Sequence, residues 1–243
     1  MFATFATRFL KLVKLIVHSD YRAAFRAGRV APSIEHERIL KTLECATVVD
    51  IGANRGQFAL VSRHCFPHAQ IISFEPLSAP AARFLAVHGH DAGIKLHQVA
   101  IGPEHSEAVI HVAAADDSSS LLPMTALQTS LFSGCSEVGT ESVRIERLDH
   151  ILAPGDLRSP ALLKIDVQGY ELSTLRGCES LLSRFAYLFV ECSFVELYQG
   201  QAFADEIIAY LREQGFRLQG VYNTHYSSTG KAIQADLFFV PRA

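Results

Sequence analysis

The sequence predicts an α/β fold, with a mostly parallel sheet and helices on both of its faces. From residue 47 onward, short apolar runs rich in β-branched residues alternate with segments of helical periodicity, and this alternation is typical of a parallel sheet. The first apolar run leads into a turn that contains Gly52 and Gly56, and a helical pattern begins directly after it. A strand, a glycine turn and a helix start together indicate a site for a nucleotide-type cofactor.

The composition is that of one ordered domain. The 243 residues are 49% hydrophobic and 19% charged, which is enough to enclose a substantial core. Five scattered cysteines without a C-x-x-C pair indicate a reduced compartment and no zinc site. No apolar run approaches the roughly 20 residues that span a bilayer, and the basic residues at 8, 11 and 14 exclude a secretory signal. We therefore expect a cytoplasmic protein.

The charge is distributed unevenly along the chain. Residues 1–43 contain eight Lys or Arg and three Asp or Glu, a net charge of +5, whereas the remainder contains 14 and 22, a net charge of −8. An acidic main domain is poorly suited to nucleic acid, and we expect no nucleic-acid partner. The sequence thus divides into a basic helical extension, 1–43, and a cofactor-binding domain, 44–243.

Residues 2–17 are predicted to form a basic amphipathic helix. Apolar side chains recur at helical spacing: Phe2, Phe5, Phe9, Leu12, Val13, Ile16 and Val17. Arg8, Lys11 and Lys14 lie largely on the other side. Such a helix packs on the domain or on a second copy of the chain, as a homo-oligomer, or it lies on the anionic inner face of a membrane beside a lipid-linked substrate. The sequence does not separate these alternatives. After a break at 31–33, a short helix is predicted over 35–43.

The elements of the main domain follow in order. Strands are predicted at Thr47–Ile51, Gln70–Phe74, Lys95–Ile101, Ala161–Ile165, Tyr187–Glu191, Phe216–Tyr222 and Ala235–Val240. Helices are predicted at Gln57–Cys65, Ala79–His88, Glu171–Leu182 and Asp205–Gln214. The last two strands have no helix between them, which indicates an antiparallel edge.

Residues 104–148 do not show this alternation of strands and helices. Ala108–Ala113 and Val143–Arg147 read as strands, and the polar, glycine-containing stretch between them has no amphipathic helix of good quality. We predict an inserted hairpin with a long loop. Such a loop either covers a ligand or is a plain surface connection.

Polar residues at the strand ends point to the cofactor, because ligands of parallel sheets lie at the carboxyl ends of the strands. Asp50 ends the first strand. Glu75 ends the second, 25 residues later, where an acid accepts hydrogen bonds from both hydroxyls of a ribose. Pro76 fixes the turn that follows.

The glycine spacing distinguishes between cofactors. The triplet G-x-G-x-x-G of dinucleotide-binding turns is absent, and an acid, Asp50, precedes the turn. This carboxylate would repel a diphosphate but attract a cation. The amine and sulfonium of S-adenosylmethionine fit that charge.

The motifs occur in the order seen in the FkbM-type methyltransferases, which this chain resembles over roughly residues 45–240. They are Asp50–Phe58, Phe74–Pro76, Val99–Gly102, Ser118–Leu122, Arg147–Asp149, Lys164–Glu171, Val190–Glu191, Gly215–Phe216 and Gln234–Val240. The spacing of the whole series is highly specific. One departure is Gln168, where the family usually has Glu.

The resemblance implies a Rossmann-like class I methyltransferase with a seven-stranded sheet, so that residues 44–243 are the methyltransferase domain. It also implies methylation of a hydroxyl on a saccharide, glycoconjugate or secondary metabolite. The predicted cofactor-binding residues are Asp50, Gly52, Ala53, Asn54, Gly56, Phe58, Glu75, Pro76, Ala100 and Ile101. An NAD-dependent oxidoreductase and a non-catalytic scaffold are the alternatives.

Transfer of a methyl group to oxygen requires an aligned hydroxyl and a group that takes its proton. Asp166, at the end of the central strand, is the first candidate, and Lys164 on the same strand face pairs with it, as part of the site or as a structural ion pair. His225 is a second candidate base. Glu171 and Glu191 shape the acceptor pocket or, with Asp166, bind a divalent ion. No clear ligand set appears, and we predict no metal site.

Overall fold

The computed structural model describes residues 11–132 and 134–242. The strands are β1 (Thr47–Ile51), β2 (Gln70–Phe74), β3 (Ile94–His97), β4 (Ala100–Ile101), β5 (Ser106–Ala113), β6 (Glu137–Glu146), β7 (Ala161–Ile165), β8 (Tyr187–Ser193), β9 (Phe216–Tyr226) and β10 (Ala232–Pro241). The α-helices are Ser19–Gly28, Glu37–Leu40, Gln57–Cys65, Ser78–His88, Ala126–Leu131, Leu148–Ile151, Glu171–Gly177 and Ala204–Glu213. Residues 11–17 are also helical.

A seven-stranded sheet of order β3-β2-β1-β7-β8-β10-β9 forms the centre of the molecule. Its first five strands are parallel, and β10 runs antiparallel to both β8 and β9. The central strands β1 and β7 are buried along their whole length, because helices cover both faces of the sheet. The predicted α/β class and the antiparallel edge are confirmed.

A second, three-stranded sheet of order β4-β6-β5 lies beside the central one. It changes one prediction: the strand expected over Lys95–Ile101 is broken. β3 ends at His97, and Ala100 and Ile101 leave the central sheet to pair in parallel with Ile145 and Glu146 of β6. The break lies at Val99, whose N–H bonds to the carbonyl of His97 and turns the chain away.

Two helix predictions also change. The helix expected over Glu171–Leu182 ends at Gly177 and continues as a 3-10 helix over Glu179–Arg184. A Cβ on Gly177 would lie 2.1 Å from the carbonyl oxygen of Gly102, so this end of the helix lies directly on the backbone of the β4 segment. Inside the insertion, a helix that the sequence did not predict, Ala126–Leu131, begins at Thr125, whose hydroxyl accepts the N–H of Gln128.

The N-terminal segment packs on the main domain. Leu15, Tyr21 and Ala24 contact Leu60 and Val87 in a small apolar cluster. The predicted apolar positions Phe2, Phe5 and Phe9, and the predicted Arg8, lie outside the described residues. None of the described helices is long and apolar enough to cross a membrane.

Candidate active site

A cavity of about 640 Å³ lies at the carboxyl ends of β1, β2, β7 and β8. This is the edge where parallel sheets bind ligands. The predicted residues that line it are Gly52, Ala53, Asn54, Phe58, Glu75, Pro76, Ala100, Ile101, Lys164, Asp166 and His225. Asp50, Gly56 and Glu171 do not line it.

The turn after β1 has a backbone that only a few residue types adopt. Gly52 has φ +80° and Asn54 has φ +47°, the left-handed region that favours glycine and tolerates asparagine. The N–H groups of Gly52 and Ala53 both donate to the carbonyl of Phe74, at 3.0 Å each. A Cβ on Gly52 would lie 1.8 Å from the carbonyl oxygen of Asp166. The ends of β1 and β7 therefore approach closely at this glycine.

Glu75 ties the turns after β1 and β2 together. One carboxylate oxygen accepts the N–H of Asn54 at 2.8 Å, and the other accepts the N–H of Leu77 at 2.8 Å. The side chain lines the cavity, although the residue is only 6% exposed. Burial raises the pKa of Glu75 to about 7, against the two N–H donors, which favour the ionised form.

Gly56 has a structural role instead of a place on the cavity wall. It has φ +88° and precedes the helix Gln57–Cys65. A Cβ there would meet the imidazole of His88 at 2.5 Å. His88 Nε2 lies 3.0 Å from the Gly56 carbonyl oxygen, and burial lowers the pKa of His88 to about 4, so the neutral ring donates this hydrogen bond. Gly56 positions the helix, and the helix carries Phe58 to the cavity.

Glu171 is likewise behind the cavity wall. Its carboxylate accepts the N–H groups of Val167 at 3.2 Å and of Gly169 at 3.0 Å. Burial raises its pKa to about 7. Glu171 does not line the cavity itself. It holds the loop 166–170, and Asp166, Gln168 and Tyr170 of that loop form part of the wall.

Asp50 is completely buried beneath Lys164. Lys164 Nζ lies 3.6 Å from Asp50 Oδ1 and 3.3 Å from Asp166 Oδ2, and 5.6 Å above the centre of the Phe58 ring. Burial raises the pKa of Asp50. Burial alone would lower the pKa of Lys164, but the carboxylates of Asp166 and Asp50 outweigh it and raise it. Lys164 therefore lies between Asp50 and the cavity.

Asp166 and Glu191 form a carboxyl pair joined by Gln168. The Gln168 amide nitrogen donates to Asp166 Oδ1 and to Glu191 Oε2, at 2.8 Å each. Burial and the charge of Asp166 raise the pKa of Glu191 well above its usual value. Burial also works to raise the pKa of Asp166, but Lys164 and the Gln168 amide hold it below its usual value. The two pKa values therefore shift in opposite directions, and Glu191 holds a proton more tightly than Asp166 does.

Gln168 is fixed in its position by contacts on every side. Its backbone has φ +54°, which costs a non-glycine residue free energy. Ser120 Oγ donates to its carbonyl at 2.6 Å, and the Tyr198 hydroxyl donates to its amide oxygen at 2.8 Å. The side-chain nitrogen is therefore the atom that faces the two carboxyl groups. In the sequence, Gln168 stands out only as a departure from the family pattern.

The opposite end of the cavity has an ion pair that the sequence analysis missed. His36 Nε2 lies 3.2 Å from Asp236 Oδ2, and the Asn223 amide donates to the same oxygen at 2.7 Å. Burial alone would lower the pKa of His36, but Asp236 outweighs it and raises it. The one sequence signal was Gln234 and Asp236 two residues apart in an otherwise apolar strand, which places both on one face.

The acidic side chains share a face of the sheet because their strands are in register. Asp50 pairs with Lys164 in neighbouring parallel strands, and Asp236 is opposite Glu191 in the antiparallel pair. The predicted base His225 lines the rim of the cavity but is exposed, with its ring 5.1 Å from that of Phe132. Within residues 11–132 and 134–242, no group of three or more His, Cys, Asp or Glu side chains is arranged to hold a metal ion.

The sequence is similar to those of known methyltransferases. The family model described as the methyltransferase FkbM domain matches residues 50–218. The 2-O-methyltransferase NoeI of Sinorhizobium fredii is 29% identical over 205 residues, 80% of this chain and 84% of that protein. Methyltransferase 1 of Beauveria bassiana is 26% identical over 145 residues, 54% of this chain and 58% of that protein. The structure of Aeropyrum pernix fibrillarin has a TM-score of 0.47 at 13% identity, over 84% of this chain and 73% of that one, a likeness too low to add weight.

Proposed function

Because this chain belongs to the FkbM methyltransferase family and transfers methyl groups from S-adenosylmethionine, we propose that its acceptor is a hydroxyl of a saccharide or glycoconjugate. Family membership removes the oxidoreductase interpretation. The name of the Sinorhizobium fredii relative, a 2-O-methyltransferase, supports an oxygen acceptor. The five cysteines, all free, support a reducing compartment as the place of the reaction.

The residues of the cavity fit the cofactor. The buried Glu75 carboxylate accepts one N–H at each oxygen, so a second lone pair of each oxygen is available to a ribose hydroxyl. Acidic side chains outnumber basic ones along the cavity wall, an excess that suits an amine and a sulfonium. The acids are Glu35, Glu75, Asp117, Asp166, Glu191 and Asp236, and the bases are Lys11, His36, Lys164 and His225. When bound, the cofactor supplies an electrophilic methyl group. Glu75 would hold its ribose, and the carboxylates would balance its charge.

The polar lining of the cavity beyond Asp166 is the main support for a saccharide acceptor. Beyond Asp166 the cavity is lined by amide, hydroxyl and carboxyl groups: Gln168, Glu191, Asn223, Thr224, Gln234 and Asp236. The Gln234 amide donates to Glu191 Oε1 at 2.9 Å, so these groups are already linked to one another. Paired donors and acceptors of this kind match the adjacent hydroxyls of a sugar ring. An apolar or aromatic acceptor would leave them unsatisfied.

Asp166 is the residue that takes the proton. It is ionised, lines the cavity and lies at the end of β7. Transfer of the methyl group would break the S–CH₃ bond of the bound sulfonium and leave the neutral thioether S-adenosylhomocysteine. As the acceptor oxygen bonds to the methyl carbon, its O–H bond breaks and the proton passes to Asp166, from which solvent removes it. A carboxylate is a weak base for an alcohol, so its larger contribution is to hold the hydroxyl in line with the methyl group. Lys164 Nζ, 3.3 Å from Asp166 Oδ2, holds this carboxylate in its orientation.

The direct test is transfer of labelled methyl groups from S-adenosylmethionine to a panel of saccharides, with matched phenols and amines. We expect label in an ether oxygen of a saccharide, located by mass spectrometry after hydrolysis. Label found only in amines or phenols would overturn the acceptor assignment.

Replacing Asp166 by Asn should lower kcat by about 100-fold or more, since the proton acceptor is lost while the side chain keeps its shape. Cofactor affinity, measured by calorimetry, should change by less than about threefold. The matched control is Asp205→Asn on the exposed surface of a helix, which should leave both quantities unchanged. Equal losses of turnover and cofactor affinity would mean that Asp166 serves the cofactor and not the acceptor.

A further inference from the structure

The helix over residues 11–17 faces the domain with its charged side and solvent with its apolar side. Leu12 is 55% exposed, Val13 36%, Ile16 66% and Val17 66%. These four residues recur at spacings of one and four and lie on one face of the helix; we call them the apolar stripe. A helix packed on its own domain normally turns such a stripe inward.

The inner side of this helix is held by ion pairs. Lys11 Nζ lies 3.1 Å from a carboxylate oxygen of Glu35, and Lys14 pairs with Glu37. Glu37 is 5% exposed, so the second pair is largely removed from solvent. Leu15 adds an apolar contact on the same side. These contacts fix the rotation of the helix that leaves the stripe outside.

Basic residues follow the stripe in the chain. Arg22 donates a hydrogen bond to the backbone carbonyl of Ile16. Phe25 of the next helix, Ser19–Gly28, is 47% exposed, and Arg26 and Arg29 are exposed as well. The first 43 residues carry a net charge of +5, whereas the rest of the chain carries −8. Two copies joined through this surface would bring like charges together. An anionic surface would attract the basic end and repel the acidic body, which orients the molecule.

We propose that the apolar stripe and its basic surroundings bind the surface of an anionic lipid bilayer. The stripe enters the boundary between headgroups and acyl chains, and the arginines contact the headgroups. The chain lies on the membrane through this surface.

The position of the stripe also narrows the acceptor, on the basis of the proposed function. Lys11, one residue before the stripe, and its partner Glu35 line the cavity, together with His36. The membrane-binding helix therefore borders the acceptor end of the cavity. If the acceptor is a sugar attached to a lipid of the same bilayer, the sugar would reach Asp166 while the lipid stays in the membrane.

Binding is measured with the full chain and vesicles by co-sedimentation. We expect binding to vesicles of phosphatidylcholine with phosphatidylglycerol, weak binding to phosphatidylcholine alone, and a loss on addition of salt. The double variant Ile16→Ser/Val17→Ser should weaken binding by about tenfold or more. Its control is Val109→Ser/Val138→Ser, which removes two aliphatic side chains of similar exposure, 49% and 64%, from the second sheet.

Neither double variant changes net charge or a cavity residue. Both variants should have the wild-type circular dichroism spectrum, the wild-type cofactor affinity and the wild-type rate of methylation of a water-soluble saccharide. Equal binding to both kinds of vesicle, or equal binding by both variants, would overturn the proposal. So would light scattering that shows a dimer which only Ile16→Ser/Val17→Ser dissociates, since the stripe would then bind a second copy. Vesicle binding without methylation of any saccharide would instead count against the proposed function alone.

Discussion

The two ends of the cavity are built by different means. At the cofactor end, the N–H groups of Gly52 and Ala53 donate to the backbone carbonyl of Phe74, and the N–H of Asn54 donates to the Glu75 carboxylate. At the acceptor end, His36, Glu191 and Asp236 come from segments far apart in the chain, and side chains make the contacts. The first end depends on backbone conformation, and the second depends on the register of β8 and β10.

This difference predicts two kinds of mutational response. A backbone-built site has few alternative conformations, so a substitution there should damage the fold and the cofactor affinity together. A side-chain site on a well-packed sheet should lose its chemistry while the fold survives. The variants that follow test this contrast.

Gly52→Ala should have the largest effect. The added Cβ would lie 1.8 Å from the carbonyl of Asp166, and φ at this position is +80°. We expect the free energy of unfolding to fall by more than about 3 kcal/mol, with loss of cofactor binding. Gly139→Ala is the control, because a Cβ there would meet nothing within 4 Å. A normal melting temperature for Gly52→Ala would show that the turn is less constrained than its geometry indicates.

Glu75→Gln should weaken cofactor binding by about 100-fold, because the variant loses roughly two charge-assisted hydrogen bonds to the ribose. The wild-type affinity should also fall as the pH decreases through about 7, the pKa to which burial raises Glu75, because the ionised form accepts the ribose hydroxyls. The variant should lose this pH dependence in calorimetry between pH 6 and pH 8. Unchanged affinity would remove the ribose assignment.

The stability of the protein without ligand should depend on pH in the opposite sense. Burial raises the pKa of Glu75 and of Glu171 to about 7 from the ordinary 4.5. The folded protein therefore holds these protons more tightly than the unfolded chain, and the free energy of unfolding should decrease as pH rises from about 4.5 to 7. Denaturant unfolding at several pH values measures this. A stability that rises across the same interval would show that other groups dominate.

Gln168→Glu tests the acceptor end. The variant replaces the amide donor between Asp166 and Glu191 with a third carboxyl group, which must be protonated or paired with a cation. We expect kcat to fall by about tenfold at neutral pH, with recovery at lower pH or with added Mg²⁺. Cofactor affinity should change by less than about threefold. A large loss of cofactor affinity would mean that the two ends are not separable.

His36→Gln should have the smallest effect. Its ring lies against Phe58 and Phe189 and orients Asp236, so its loss should raise KM for the saccharide by about three- to tenfold, with kcat and cofactor affinity little changed. His68→Gln, outside the cavity, is the control. A fall in kcat that depends on pH would instead identify His36 as a base.

Local pattern was sufficient for the order of the elements and for the turn after β1. The apolar runs, the glycine turn and Glu75 each lie within a few residues, and Gly52 and Glu75 do line the cavity. Asp50, Gly56 and Glu171, which look like site residues in the sequence, do not line it. They are buried behind Lys164, under His88 and within the loop 166–170. Residue type and position at a strand end do not indicate which side chain faces the cavity and which is buried behind it.

By itself, the sequence determined the α/β class, the glycine turn after β1 and the basic charge of the extension, because periodicity, glycine turns and net charge are properties of the chain alone. Only the tertiary structure decided that His36 meets Asp236, that the amide of Gln168 lies between two carboxyl groups, and that the apolar stripe faces solvent. Those results depend on strand register and on the ion pairs of Lys11 and Lys14, which rotate the helix, and both join residues that are distant in the sequence.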